Sequence, residues 1–142
     1  MAEIEHFVDP KGKAHARFAE VEGLQCRFWP KGVQQAGKSD VTETSVGEAV
    51  RSGMVDNETL GYFLARIWLF LKKIGCDMSR VRFRQHMNNE MAHYASDCWD
   101  AELHTSYVSS RICFCFCCVL CLGADDRDGL SVLDVPIAVR MI

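Results

Sequence analysis

The sequence predicts a mixed α+β fold, because one long amphipathic helix is accompanied by short segments with strand character. Between Asn57 and Ile74, apolar residues recur at the i, i+3, i+4 and i+7 positions that form one face of a helix. Residues 2–8 and 81–85 instead alternate polar and apolar side chains, as half-buried strands do. With 142 residues and 49% apolar content, the chain has the size of one ordinary domain and can bury a core.

The predicted helix has recognisable signals at both ends. Asn57 is a suitable N-cap, and Gly75 can adopt the left-handed conformation that ends a helix. Lys72 and Lys73 complement the negative end of the helix dipole. A second face of the helix is also apolar, since it carries Tyr62, Leu69 and Phe70. The pattern therefore predicts a helix that is buried on two sides.

Two further elements are predicted in the N-terminal half, a strand at residues 24–29 and a short helix at residues 44–51. The first strand, at residues 2–8, ends before Pro10, because proline cannot continue a hydrogen-bonded ladder. Residues 11–44 are rich in Gly, Lys, Gln and Ser and contain turn sequences. We therefore expect residues 11–44 to be an excursion from the core.

Three arginines lie on one face at the strand predicted for residues 81–85: Arg80, Arg82 and Arg84. Cations at this spacing suit the phosphate groups of RNA, whereas the simpler interpretation is ion pairing with nearby acids. The residues themselves leave both interpretations open. After this strand a helix is predicted from residue 88 or 89 to about Leu103.

The composition argues against several classes of protein. A net charge of −3 and a pI near 5.9 do not fit a protein whose whole surface binds nucleic acid. The start of the chain lacks the pattern of a secretory signal, so a cytoplasmic location is expected. The longest nearly uncharged apolar run, residues 112–124, is too short to span a membrane. Five of the eight cysteines lie between Cys113 and Cys121, but apolar residues between them argue against a metal site.

Three stretches closely resemble the eukaryotic-type glycyl-tRNA synthetase, a class II aminoacyl-tRNA synthetase: AEIEHFVDP at 2–10, DNETLGYFLARIWLFLKKIG at 56–75 and RFRQHMNNEMAHYASDCWDAE at 82–102. The resemblance covers about residues 1–107 and implies a partial catalytic domain, in which an antiparallel sheet is flanked by helices. It also implies that the parent enzyme uses glycine, ATP with Mg and tRNA-Gly. A homodimer without membrane association is implied, in the cytoplasm or in an organelle.

The resemblance assigns few site residues to this chain. Glu3 matches the family's acid that holds the ammonium group of glycine, a task that suits a carboxylate because the hydrogen bonds are charge-assisted. Residues 11–44 match an insertion near the acceptor end of tRNA, which implies Lys11 and Lys13 as weak RNA contacts. The family residues that grip ATP lie upstream of Met1. We therefore expect no tight binding of ATP or Mg, and no aminoacylation by this chain alone.

After Tyr107 the sequence departs from the family pattern, and residues 108–142 are expected to be a non-native or disordered tail, unrelated to the family and rich in cysteine. One hypothesis is translated non-coding sequence, because Val108-Ser109 is what the splice-donor sequence GTAAGT encodes in frame. Two other interpretations stay open. In the first, the chain is a truncated non-catalytic isoform that binds the full-length subunit or RNA. In the second, it is an incomplete gene model without a function.

Overall fold

The computed structural model describes four ranges of the chain: residues 2–9, 11–104, 109–120 and 139–141. The description is confined to the backbone for residues 2–3 and for the last two ranges. The strands are β1 (Ala2–Val8), β2 (Gln25–Trp29), β3 (Thr42–Ser45), β4 (Val81–Gln85), β5 (Ala95–His104), β6 (Ser109–Leu120) and β7 (Val139–Met141). The helices are α1 (Lys31–Gln35), α2 (Val46–Arg51) and α3 (Glu58–Lys73), and single 3₁₀ turns occur at Phe18–Glu20 and Met78–Arg80.

The described strands form one mixed sheet with the order β3-β2-β4-β5-β6-β1-β7. β2 pairs with β4 in parallel and β1 pairs with β6 in parallel, while the other described neighbours are antiparallel. The resemblance implies an antiparallel sheet; four of the six described pairings are antiparallel, and the two parallel pairings depart from that expectation. Parallel pairing needs a long crossover, and the connection from β2 to β4 supplies one because it contains α2 and α3. The coarser prediction of an α+β fold is confirmed.

α3 forms where the apolar periodicity predicts it. The side chain of Asn57 accepts a hydrogen bond from the backbone N–H of Leu60 (2.9 Å), and Gly75 has the left-handed φ of 91°. The second apolar face is less buried than predicted, since Tyr62 is buried but Phe70 is 48% exposed. Neither α3 nor another helix in the described ranges is long and apolar enough to cross a membrane.

The core lies between α3 and one face of the sheet. The ring of Trp68 in α3 lies 5.9 Å from the ring of Phe83 in β4, measured between centroids. The ring of Phe28 in β2 lies 5.5 Å from that of Trp99 in β5, and all three sheet aromatics are fully buried. Because side chains alternate along a strand, the intervening positions point to the opposite face of the sheet.

β2 shows that part of residues 11–44 belongs to the core. It pairs with β3 on one side and with β4 on the other. Its Cys26 is 1% exposed, and burial raises the pKa of this thiol to about 12. The expected excursion from the core is therefore wrong for β2, because its apolar residues alternate and one face of the strand packs under α3.

The helix predicted from residue 88 or 89 to Leu103 is wrong, because most of that range is β5. β5 pairs with β4 on one edge and β6 on the other, so its backbone groups are satisfied by neighbouring strands. Trp99 and Ala101 face the core, whereas Asp100 lies on the other face. The alternation is a strand pattern, and pairing with sequence-distant strands decides between it and the helical interpretation.

Residues 109–120 belong to the tail that is expected to be non-native or disordered, and they form β6, so the disordered alternative is wrong for this range. β6 lies between β5 and β1 and pairs with both of them. The rest of the proposed cysteine-rich tail apart from β7 lies outside the described residues: Val108, residues 121–138 and Ile142. The tail thus contributes an internal strand to the described sheet.

Candidate functional site

Opposite charges face each other across neighbouring strands on the sheet face that lies away from α3. Arg82 in β4 is opposite Glu102 in β5, and its Nε lies 2.9 Å from Oε2 of that residue. Arg27 in β2 is opposite Glu43 in β3, with 3.0 Å between Nε and Oε1. Directly opposed charges stabilise paired strands and favour one register. The face is therefore organised by ion pairs between strands.

Arg84 is the most buried of the three arginines predicted as a row, with 8% exposure. Its Nη2 donates to both carboxylate oxygens of Glu90 at 2.7 Å, and its Nη1 lies 3.6 Å from Oδ2 of Asp100. Burial alone would lower the pKa of Arg84, but the hydrogen bonds and charge of Glu90 raise it above the ordinary value. Two acids hold this guanidinium inside the protein.

The same network ties the segment after β4 to β5. Nε2 of His86 lies 2.9 Å from Oδ2 of Asp100, a carboxylate that is 1% exposed. Oε2 of Glu90 also accepts a hydrogen bond from the backbone N–H of Met87 at 2.8 Å. The pKa of Glu90 is lowered first by its bond to Arg84 and then by this backbone bond. Among the described residues, no three His, Cys, Asp or Glu side chains converge as a metal site requires.

Arg80 and Arg82 line a cleft with a volume of about 330 Å³. The lining combines three arginines, one histidine, one acid and three other residues: Arg27, Arg80, Arg82, His104, Glu102, Ser79, Val41 and Leu103. The guanidinium of Arg82 also lies over the ring of Trp29, at 4.0 Å from its centroid. With a neutral histidine, the lining carries two more cations than anions, in a chain whose net charge is −3.

Asp97 is a buried carboxylate on the α3 side of the sheet, with 3% exposure. Its Oδ1 accepts hydrogen bonds from Nε2 of Gln85 (2.9 Å) and from the backbone N–H of Cys98 (3.0 Å). Its Oδ2 accepts from Nε1 of Trp99 (2.8 Å) and the backbone N–H of Asp56 (3.2 Å). Burial raises the pKa of Asp97, and the four donors oppose that rise. By these hydrogen bonds the carboxylate of Asp97 connects β4, β5 and the loop before α3, so its role is structural.

Glu3 lies in β1, where its backbone is opposite Cys115 of β6 and Arg140 of β7. Its side chain lies outside the described residues. β5 and β6 separate β1 from β4 in the sheet, so the backbone of Glu3 and the arginine cleft belong to different parts of the sheet. Nearby on β1, Oε1 of Glu5 accepts a hydrogen bond from the hydroxyl of Tyr94 at 3.4 Å.

The two lysines predicted as weak RNA contacts have different surroundings. Lys11 is exposed, and its backbone N–H donates to Oδ1 of Asp9 at 2.8 Å. Lys13 binds the loop before α3, since its Nζ lies 3.1 Å from Oδ2 of Asp56. The structure thus brings Arg80 and Arg82 together at one cleft, but not with Arg84, Glu3 or these lysines.

Sequence reasoning missed two members of the cleft, Arg27 and His104. Arg27 alternates with the buried Cys26 and Phe28, so the pattern of β2 places it on the polar face. Arg27 lies beside Arg82 because β2 pairs in parallel with β4, and the paired residues are more than fifty positions apart in the sequence. His104 could not be placed either, because the helix predicted to about Leu103 hid the strand β5 that ends at His104.

Comparison with known proteins shows which proteins the chain is similar to. No protein-family model matches the chain. It is 66% identical to a glycine–tRNA ligase of Schizosaccharomyces pombe over 132 residues, and 64% identical to the mitochondrial glycine–tRNA ligase 1 of Saccharomyces cerevisiae over the same length. A glycine–tRNA ligase of Drosophila melanogaster is 49% identical, again over 132 residues. Each alignment covers 93% of this chain but 19%, 18% and 16% of the respective relative.

The alignments extend further than the resemblance that was placed at about residues 1–107. An alignment of 132 residues leaves about ten residues of this chain outside it, so it includes most of residues 108–142. The chain spans about a fifth of the length of the curated relatives it matches first. Over nearly its whole length, the chain is therefore similar to a part of glycine–tRNA ligases.

Proposed function

We propose that the chain is a part of the class II catalytic domain of a glycine–tRNA ligase. The observation that carries this proposal is the 66% identity over 93% of the chain. In the proposed parent reaction, a carboxylate oxygen of glycine attacks the α-phosphorus of ATP and pyrophosphate leaves. A ribose hydroxyl of tRNA-Gly then attacks the carbonyl carbon of the glycyl adenylate, and AMP leaves. Positioning and electrostatic stabilisation supply most of such catalysis.

Glu3 is the proposed binding residue for glycine. Glu3 lies on β1, an internal strand of the described sheet, and this position supports the role. A strand that is paired on both edges holds the backbone of the binding residue rigidly. A carboxylate attracts the ammonium group of any amino acid, so selection of glycine needs a closed surface that excludes larger side chains. That closure depends on residues beyond those assigned to this chain.

ATP, Mg and tRNA-Gly belong to the proposed function of the whole enzyme, as do the homodimer and a cytoplasmic or organellar location. ATP brings the activating phosphate, and Mg neutralises charge on its phosphate oxygens. No complete set of residues for these ligands is assigned in this chain, so tight binding of ATP and Mg is not expected. Lys11, which is exposed, fits a weak RNA contact better than Lys13, whose ammonium group is paired with Asp56.

Glycine-dependent exchange of labelled pyrophosphate into ATP tests whether activation of glycine requires the rest of the enzyme. The purified chain is expected to show exchange at the background rate, with and without glycine. A full-length relative from Schizosaccharomyces pombe serves as the positive control. Exchange that needs glycine and disappears in Glu3→Gln would contradict the expected inactivity, while supporting the role of Glu3.

A second candidate is a non-catalytic isoform that binds the full-length subunit. The exposed apolar residues near the end of α3 favour it: Leu69, Phe70 and Ile74 are 36%, 48% and 57% exposed. Co-purification of a tagged chain with the full-length relative is expected in this case. Replacement of Phe70 and Ile74 by serine should abolish it, and an unchanged yield would count against this candidate.

A further inference from the structure

Two histidines flank a pair of aromatic rings at the side of α3. The ring of His6 in β1 lies 4.9 Å from the ring of Phe63, measured between centroids. The ring of His15 stacks on that of Tyr62 at 3.9 Å and lies 6.0 Å from that of Phe63. The rings of Tyr62 and Phe63 themselves meet edge to face at 5.4 Å. These four side chains are called the ring cluster, which joins β1, the segment after β1 and α3.

The ring cluster is part of the contact between β1 and α3. Two other residues of β1 point to the same side of the sheet, since Val8 belongs to the core with 5% exposure and Ile4 packs against that core. His6 lies between them, where the alternation of the strand predicts a third apolar side chain. A group that can gain a charge in the range of physiological pH therefore occupies this contact.

The neutral form of His6 suits its surroundings. The side chain is partly buried, and burial lowers its pKa, since a charged ring would lose hydration there. The charge of His15 lowers the pKa of His6 further. In β6 the residue opposite His6 is Cys118, whose side chain lies outside the described residues. Within the part of the chain that the structure describes, both effects on His6 thus act against a proton.

The charged groups near the ring cluster come from α3 and from the segment after β1. Oε2 of Glu58, in the first turn of α3, accepts a hydrogen bond from the backbone N–H of His15 at 3.1 Å. The guanidinium of Arg17 lies 5.8 Å from the centroid of Tyr62 and donates to both carboxylate oxygens of Glu20, at 2.9 and 2.8 Å. A charged histidine would therefore join a cluster that already has a cation at its edge.

Protonation of His15 would break a hydrogen bond within the segment after β1. Its Nδ1 accepts from the backbone N–H of Arg17 at 3.2 Å. A ring nitrogen that carries a proton is a donor and cannot accept, so an added proton at Nδ1 removes this bond. The charged ring would also lie on Tyr62, whose other neighbour is the guanidinium of Arg17. Both histidines thus fit their contacts in the neutral form.

We propose that the ring cluster makes the docking of β1 on α3 sensitive to pH, so that mild acid loosens β1 and neutral pH holds it. In the folded chain the pKa of His6 lies below its ordinary value of 6.5. The stability that neutral His6 contributes is therefore fully present above about pH 6.5 and is lost as the pH falls through the folded-state pKa. The proposal is independent of glycine activation. Only its consequence for Glu3, which β1 also carries, rests on the proposed function.

Hydrogen exchange of the full 142-residue chain tests the docking of β1 directly. Mass spectrometry compares peptides from β1 and β4 at about pH 7.5 and about pH 5.5, after correction for the intrinsic exchange rate. Protection of the β1 peptide should fall about three- to tenfold at the lower pH, because each pKa unit between folded and unfolded states corresponds to a factor of about ten. The β4 peptide should keep its protection. An equal loss in β4 would mean global destabilisation and would overturn the proposal.

His6→Phe removes the titrating group and keeps an aromatic ring against Phe63. The pH dependence of β1 protection should disappear in this variant, whatever its overall stability, because the comparison is made between two pH values. His93→Phe is the matched control, since the ring of His93 also lies against an aromatic ring, that of Tyr94 at 5.1 Å, but His93 is exposed. It should keep the original pH dependence. If the dependence persisted in His6→Phe, or vanished in His93→Phe, the ring cluster would not be its source and the proposal would be overturned.

His15→Gln tests whether the two histidines act together. The amide oxygen of glutamine can accept the hydrogen bond from Arg17, while the positive charge is removed. The Cε1–H resonance of His6, followed by NMR against pH, should titrate with a midpoint below about 6.5 in the original chain. In His15→Gln the midpoint should rise toward about 6.5, because the charge of His15 no longer opposes the proton. An original midpoint above about 6.5 would show that the aromatic rings attract the imidazolium, and would contradict the proposal, as would an unchanged midpoint in His15→Gln.

Discussion

At the scale of single residues, Asp97 shows how one carboxylate can hold several elements together. In Asp97→Asn, one acceptor oxygen becomes an NH₂ group that faces N–H donors, so at least one donor loses its partner. We expect the free energy of unfolding to fall by about 2 kcal/mol, the typical cost of leaving a buried polar group unsatisfied. Urea unfolding followed by tryptophan fluorescence measures this, and reports directly on Trp99, which binds the carboxylate.

Asp40→Asn is the control for Asp97→Asn, because Asp40 is exposed. Its unfolding free energy should stay within about 0.5 kcal/mol of the original chain. Equal stability of both variants would show that the four hydrogen bonds of Asp97 contribute less than the structure indicates.

Residues whose partners are close in sequence could be predicted, and those with distant partners could not. The N-cap Asn57 acts on Leu60, three residues away, so the local pattern was sufficient. Asp97 reaches Asp56, which is 41 residues away, and nothing in the local sequence signals that contact. The same limit explains Arg27, whose neighbours depend on the order of strands.

At the scale of elements, the crossing of α2 and α3 depends on the absence of a side chain at Gly61. A Cβ atom at this position would lie 2.9 Å from Cγ2 of Val50 and 3.1 Å from Cε2 of Phe18. Gly61→Ala should therefore destabilise the protein by about 1–3 kcal/mol through overpacking, although alanine favours helix formation by about 1 kcal/mol. A fall in the thermal midpoint measures the loss.

Gly32→Ala in α1 is the matched control, since an added Cβ there has no atom within 4 Å. The thermal midpoint should be unchanged or slightly raised in this variant. If the thermal midpoint of Gly61→Ala rose as much as that of Gly32→Ala, close packing at the helix crossing would be contradicted.

The elements also show why periodicity succeeds for α3 and fails for β5. Sixteen residues of α3 give the helical pattern enough repeats to be unambiguous. In β5, apolar and polar residues fit a helical stripe and a strand alternation about equally, because the strand carries buried charges on its second face. Asp100 and Glu102 are buried there by pairing with Arg84 and Arg82, which a local pattern does not reveal.

At the scale of the whole molecule, β6 connects two parts of the sheet. A chain that ends at residue 107 lacks β6, so β1 loses a parallel partner and β5 gains an open edge. We expect this truncated chain to lose its cooperative thermal transition, followed by circular dichroism in reducing buffer. A chain that ends at residue 120 retains β6 and is the control, with a cooperative transition expected. Cooperative unfolding of the shorter chain at the original midpoint would instead support the division into a domain at 1–107 and an unrelated tail.

The pairing of β1 with β6 has a consequence for how the chain folds. Ala2 is opposite Phe114, so β1 leaves the ribosome more than a hundred residues before the strand that pairs with it. β4 and β5, joined by a short loop, can pair early, whereas closure around β1 carries the entropic cost of a loop that includes most of the chain. Closure of the sheet at β1 should therefore be slow, and until β6 is available the unpaired edge of β1 is open to pairing with other molecules.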